Sequence, residues 1–71
     1  MDPTPEQIAA EPMLKWFAWT HLQPGALQEA SRVFCDAAQY VTTKFPRNPE
    51  RTVCLRKLLE AKDAGVRCNL P

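Results

Sequence analysis

Small and apolar residues recur at three- and four-residue steps from Leu27 onward. Leu27, Ser31, Phe34, Ala38, Val41 and Phe45 fall on one line at about 100° per residue. Glu29, Asp36, Tyr40 and Thr43 fall opposite, with Arg32 on one flank. This pattern predicts a first long helix over 24–45, with Pro24 in the opening turn and Gly25 early enough to cost little. Pro46-Arg47-Asn48-Pro49 then breaks the period. Asn48 is a good N-cap, Pro49 suits the first helical position and Glu50 favours the positive end of the helix dipole. A second long helix is therefore predicted over 49–68. The short connection predicts an antiparallel two-helix hairpin.

The second helix carries two apolar sectors. Cys54, Leu58, Ala61, Gly65 and Cys68 share one line, while Leu55, Leu59 and Val66 lie roughly 100° around from it. Arg56, Asp63 and Arg67 face away. One sector can pack on the first helix and the other needs a second partner. Gly65 costs about 1 kcal/mol relative to Ala in a helix interior, which points to a close contact there.

Residues 1–23 read as an N-terminal segment. Thr4-Pro5-Glu6-Gln7 is a compact helix start with the elements of a capping box, and the helix it begins should end before Pro12. Both tryptophans and the single histidine follow, within Met13–Leu22. At 71 residues the chain is one all-α domain with little material for an internal core. Small scaffolds of this kind are completed by disulfides, a metal or further copies. Three cysteines is an odd number, and Cys35, Cys54 and Cys68 all fall inside predicted helices, where they read as small buried hydrophobes in a reducing compartment. No metal-ligand spacing exists. The second sector is therefore expected to be covered by another copy of the chain, the alternative being that the N-terminal segment folds back over it.

The net charge of +1, with both signs interleaved, excludes the dominant basic face that duplex nucleic acid requires. No apolar run approaches the roughly 20 residues of a membrane span, and the N-terminus lacks the basic and apolar regions of a targeting signal. The expectation is a soluble cytoplasmic protein with no cofactor. Catalysis has little to work with: no nucleophile motif, no glycine-rich phosphate loop and no metal–water device. The chain is read as a binding protein and not as an enzyme.

Trp16, Phe17, Trp19 and His21 crowd into six residues ahead of the first long helix. Aromatic faces stack on nucleobases, and a nearby cation such as Arg32 can meet phosphate. Trp16 and Phe17 read more simply as core plugs. A second polar group, Arg47, Asn48, Arg51 and Thr52, gathers where exposed amides at a helix N-terminus favour anions.

At these residues the chain resembles a phage family, the small helical-hairpin proteins that act as cyclic-nucleotide sponges against the bacterial CBASS defence. The resemblance covers about residues 17–68. It lies in the aromatic lead Phe17-Ala18-Trp19-Thr20-His21, in Arg32, in the proline-marked turn, and in Glu50-Arg51-Thr52 followed by Leu55, Leu58, Glu60-Ala61 and Ala64. It implies a homo-oligomer, a hexamer in that family, which holds cyclic di- and trinucleotides such as 3′,3′-cyclic GMP–AMP between protomers in the host bacterial cytoplasm without cleaving them. Trp19 would stack on a base and Arg32 would contact phosphate, with His21, Arg51 and Thr52 as further ligand-binding candidates. Two other functions fit the same residues: a helical protein-interaction module acting through its apolar face, and a single-stranded nucleic-acid binder using the aromatics.

Overall fold

The computed structural model describes residues 1–70, and these are all-helical, with four helices. Helix α1 (Pro5–Ala10) starts with the predicted capping box: the Thr4 hydroxyl oxygen accepts from the Gln7 amide at 3.1 Å, and the Thr4 amide donates to the Gln7 side chain at 2.9 Å. Pro12 ends it and opens a 3₁₀ helix, Pro12–Phe17. Helix α2 spans Ala26–Lys44 and helix α3 spans Pro49–Cys68.

The start of α2 departs from expectation. Gly25 adopts φ +126° and serves as the N-cap, so the helix begins two residues after Pro24. That backbone conformation is one that glycine enters without a Cβ clash. The start of α3 follows local chemistry: the Asn48 side chain accepts from the Arg51 amide at 2.9 Å, and Pro49 occupies the first turn.

Leu14, Phe17, Cys35, Ala38, Val41 and Leu55 form the buried core, with Ile8, Met13, Trp19, Phe34, Cys54, Leu58 and Leu59 packed around it. Two of the six core residues come from the 3₁₀ helix, so the N-terminal segment does fold back over α2 and α3. The 3₁₀ period explains which side chains it delivers. At three residues per turn, Leu14 and Phe17 eclipse one another and enter the core together. Trp16 falls off that line and is 58% exposed, against the expectation that it plugs the core alongside Phe17. Burying each of Leu14 and Phe17 contributes about 1.5–3 kcal/mol.

Helices α2 and α3 touch along their length. Gly65, near the end of α3, lets Phe34 of α2 approach so closely that a Cβ at position 65 would stand 2.8 Å from the ring. At the other end, Arg51 reaches the carbonyl oxygens of Thr42 and Phe45. The cysteines divide: Cys35 is buried, Cys54 partly so, and Cys68 is exposed in the last turn of α3, where it is not a core residue. Burial pushes the Cys35 thiol up to about 11, which keeps it protonated and unreactive at neutral pH. Among the described residues, no helix is long and apolar enough to cross a membrane.

Candidate ligand-binding site

The segment between the 3₁₀ helix and α2 carries Trp19 and His21, and the first two residues of the chain hold it in place. One carboxylate oxygen of Asp2 accepts from the backbone amides of Trp19, at 2.8 Å, and Thr20, at 3.1 Å, while the Thr20 hydroxyl donates to the other. The Cys35 thiol donates to the Met1 carbonyl at 3.5 Å. Burial pushes the Asp2 pKa up. The Thr20 hydroxyl, the two backbone amides and the charge of His21 together pull it further down, so the carboxyl sits below its ordinary value. A turn closes behind it, with the Leu22 amide donating to the Trp19 carbonyl at 3.1 Å.

So fixed, Trp19 lies with part of its indole against the core and its ring beneath Arg32, whose guanidinium carbon is 5.5 Å from the ring centroid. A cation at this distance over an indole face is attracted by about 0.5–1 kcal/mol at an exposed site. The Arg32 side chain remains half exposed, and its one ion pair, to Glu29 a turn earlier, is long at 4.0 Å. A guanidinium lying over a ring keeps its N–H donors in its own plane, free for an incoming oxyanion. Trp19 Nε1 is buried and without a hydrogen-bond partner.

His21 is exposed and lines a cleft of about 240 Å³. Ala18, Leu22, Ser31 and Val66 form its walls, and Lys62, Asp63 and Arg67 of α3 complete it. Sequence periodicity had Asp63 and Arg67 facing away, but the path of residues 18–22 across α3 puts both at this cleft. The cleft was not visible in the sequence, because it depends on where the N-terminal segment crosses the two long helices. The Lys62 ammonium is anchored by donating to the Trp16 carbonyl.

The other two sequence candidates lie elsewhere. Arg51 is only 8% exposed and its guanidinium is engaged, donating to Glu11 at 2.7 Å, to the Thr42 carbonyl at 3.1 Å and to the Phe45 carbonyl at 3.3 Å. It is a structural tie and has no free face for phosphate. Thr52 is exposed but sits ten positions before Lys62, about 15 Å along a helix axis from the cleft. The fold thus gathers Trp19, His21 and Arg32 at one end of the molecule and leaves Arg51 and Thr52 at the other.

Glu11 was not singled out from the sequence, yet it is the hub of that second end. One of its oxygens accepts from both Arg51 and Arg47, the latter at 3.2 Å, while Arg47 also donates to the Ala10 carbonyl at 2.6 Å. Its only local signal is its place between a helix end and Pro12. Among the described residues no cluster of His, Cys, Asp or Glu is placed to hold a metal ion. Comparison of the chain with protein-family models, with curated proteins and with solved structures found no match.

Proposed function

We propose that this chain binds and sequesters cyclic di- and trinucleotide second messengers without cleaving them, as in the phage sponge family that it resembles. One observation carries the proposal: Arg32 lies over the Trp19 ring with its in-plane donors unspent. A nucleobase stacks on an indole and a phosphate takes bidentate hydrogen bonds from a guanidinium. The pair offers both within one ligand's reach once the guanidinium swings off the indole face that it covers. His21, on the same segment, is the third candidate contact.

In this proposal α2 and α3 form an antiparallel hairpin, and copies of it assemble as a homo-oligomer, a hexamer in the phage family that the chain resembles, inside the host bacterial cytoplasm. The N-terminal segment already covers much of the second apolar sector of α3. The surfaces left for assembly are then the outer face of α2, where Val33 and Tyr40 are 62% and 60% exposed, and the exposed Phe45 and Val53. The same exposed apolar side chains support a second function, a protein-interaction module that docks this face on another protein.

Isothermal titration of the full chain with 3′,3′-cyclic GMP–AMP and with cyclic trinucleotides tests the proposal. Binding that weakens in Arg32→Ala supports it. No heat with any of these ligands, from protein that elutes folded, overturns it. Sedimentation separates the two functions: a stable monomer favours the interaction module, and a discrete oligomer that gains mass with ligand favours the sponge.

A further inference from the structure

The cleft bounded by His21, Ser31, Lys62 and Arg67 has a chemistry of its own. Ser31 is fully buried in α2, and its hydroxyl has no hydrogen-bond partner. A buried hydroxyl left unpaired costs free energy that a ligand atom could recover. A helical serine ordinarily satisfies itself on the preceding turn. This one does not, and it lines the cleft.

The charges around it favour an anion. Lys62 and Arg67 bring two positive charges against the single carboxylate of Asp63. Asp63 and Arg67 stand four positions apart on α3, the spacing at which opposite charges usually meet, yet no ion pair joins them. Among the described residues the Arg67 guanidinium has neither an ion pair nor a side-chain hydrogen bond. Lys62 uses one of its three donors on the Trp16 carbonyl and keeps the others. Ala18, Leu22 and Val66 give the cleft apolar walls, which strengthen hydrogen bonds made inside it.

Size narrows the ligand. At about 240 Å³ the cleft is below the roughly 300–1,000 Å³ of pockets that engulf drug-sized molecules, so it holds a group and not a whole ligand. Hydroxyl, ammonium and guanidinium donors approaching from two helices suit a tetrahedral oxyanion better than a planar carboxylate.

We infer that this cleft is a phosphate subsite, in which Arg67 and Lys62 bind the oxygens of a phosphate group and a small opening of the cleft wall lets the Ser31 hydroxyl, closed to solvent in this structure, donate the remaining hydrogen bond. It adjoins the segment and the helix that carry the stacking pair: Ala18, which lines it, precedes Trp19, and Ser31 precedes Arg32. As the second phosphate contact of a cyclic nucleotide it rests on the function proposed above. As a site for phosphate alone it does not.

The test is an NMR titration of the full-length, ¹⁵N-labelled chain with inorganic phosphate, against chloride at matched ionic strength. Phosphate should shift the amides of Ser31, Lys62 and Arg67 saturably, and chloride should not. Arg67→Gln, at an exposed position, should keep the spectrum of the folded chain and weaken phosphate roughly tenfold. Arg56→Gln, at an exposed position of α3 away from the cleft, should leave phosphate affinity unchanged. Absence of saturable shifts at these residues, or equal affinity in Arg67→Gln, would overturn the subsite. A parallel titration with 3′,3′-cyclic GMP–AMP separates the two proposals. Phosphate binding without cyclic-nucleotide binding keeps the subsite and removes the sponge. Cyclic-nucleotide binding undiminished in Arg67→Gln, with no phosphate binding, does the reverse.

Discussion

The guanidinium of Arg51 and the carboxylate of Glu11 meet at 2.7 Å across 40 positions of sequence. The contact ties the first turn of α3 to the junction of α1 with the 3₁₀ helix, while the same guanidinium caps two carbonyls at the end of α2. All helices of the chain therefore converge on one arginine.

Removing that arginine should unsettle the fold and not a ligand. Breaking a buried pair from one side costs about 3–5 kcal/mol, and Glu11 retains some exposure, so Arg51→Ala should lose roughly 2–3 kcal/mol. Urea denaturation measures it. Cyclic-nucleotide affinity of the folded fraction should be unchanged. A variant as stable as the parent chain would show that the pair contributes nothing.

Gly65 and Phe34 should be energetically coupled. Gly65→Ala gains about 1 kcal/mol of helix propensity, but its Cβ must displace the Phe34 ring from 2.8 Å. In the parent chain the crowding should cancel or reverse the gain, since overpacking typically costs about 1–3 kcal/mol. In a Phe34→Ala background the ring is gone and the full propensity gain should appear. A double-mutant cycle by chemical denaturation gives the coupling, and additive effects would mean that the ring moves aside freely.

Acid should loosen the segment that carries Trp19. The Asp2 carboxyl has a folded-state pKa below its ordinary 3.8, so its contribution to stability is complete above that value and is lost as the pH falls through the lower folded value. Asp2→Asn should remove the charge-assisted part of these hydrogen bonds at all pH values, costing about 1 kcal/mol at this partly exposed site. Indole emission in a Trp16→Phe background reports it: the parent shows an acid transition that Asp2→Asn lacks. Identical acid titrations in both would remove Asp2 from this role.

Trp19 packs partly against the core and is also the proposed stacking residue, and its substitutions should separate the two roles. Trp19→Ala should weaken cyclic-nucleotide binding by about 1–3 kcal/mol through lost stacking and also lower the melting temperature, because the indole packs against the core. Trp19→Phe should recover most of the stability and part of the affinity. Arg32→Lys should retain charge while losing the bidentate geometry, so it should bind less tightly than the parent at unchanged stability. Calorimetric titration alongside thermal melts checks all three.

What could be read from the sequence was what neighbours in the chain decide. Thr4 with Gln7, and Asn48 with Pro49, fix helix starts through bonds that span three residues, and the bounds of α3 match the expected 49–68. Pro24 misled because the positive φ of Gly25 outweighed proline's preference for an opening turn. Trp16 and Phe17 look alike as letters, and only the three-residue period of a 3₁₀ helix separates one that faces water from one that fills the core. Trp19, Arg32 and His21 stood out by type and spacing. Arg51 stood out equally and is a structural tie, since its partner Glu11 is distant in sequence. Ser31, Lys62 and Arg67 gave no signal, because their meeting is set by the crossing of residues 18–22 over α2 and α3.

Leu14 and Phe17 near the start of the chain share their core with Leu55 in α3. Synthesis delivers the two sides at different times. A nascent chain that has emerged only through α2 has no partner for these side chains on the missing helix, and its greasy surface stays open to chaperones until Leu55 clears the ribosome. Burial of this surface is thus tied to the synthesis of α3, and a stop codon anywhere before α3 should yield a fragment that is degraded and not a smaller working version.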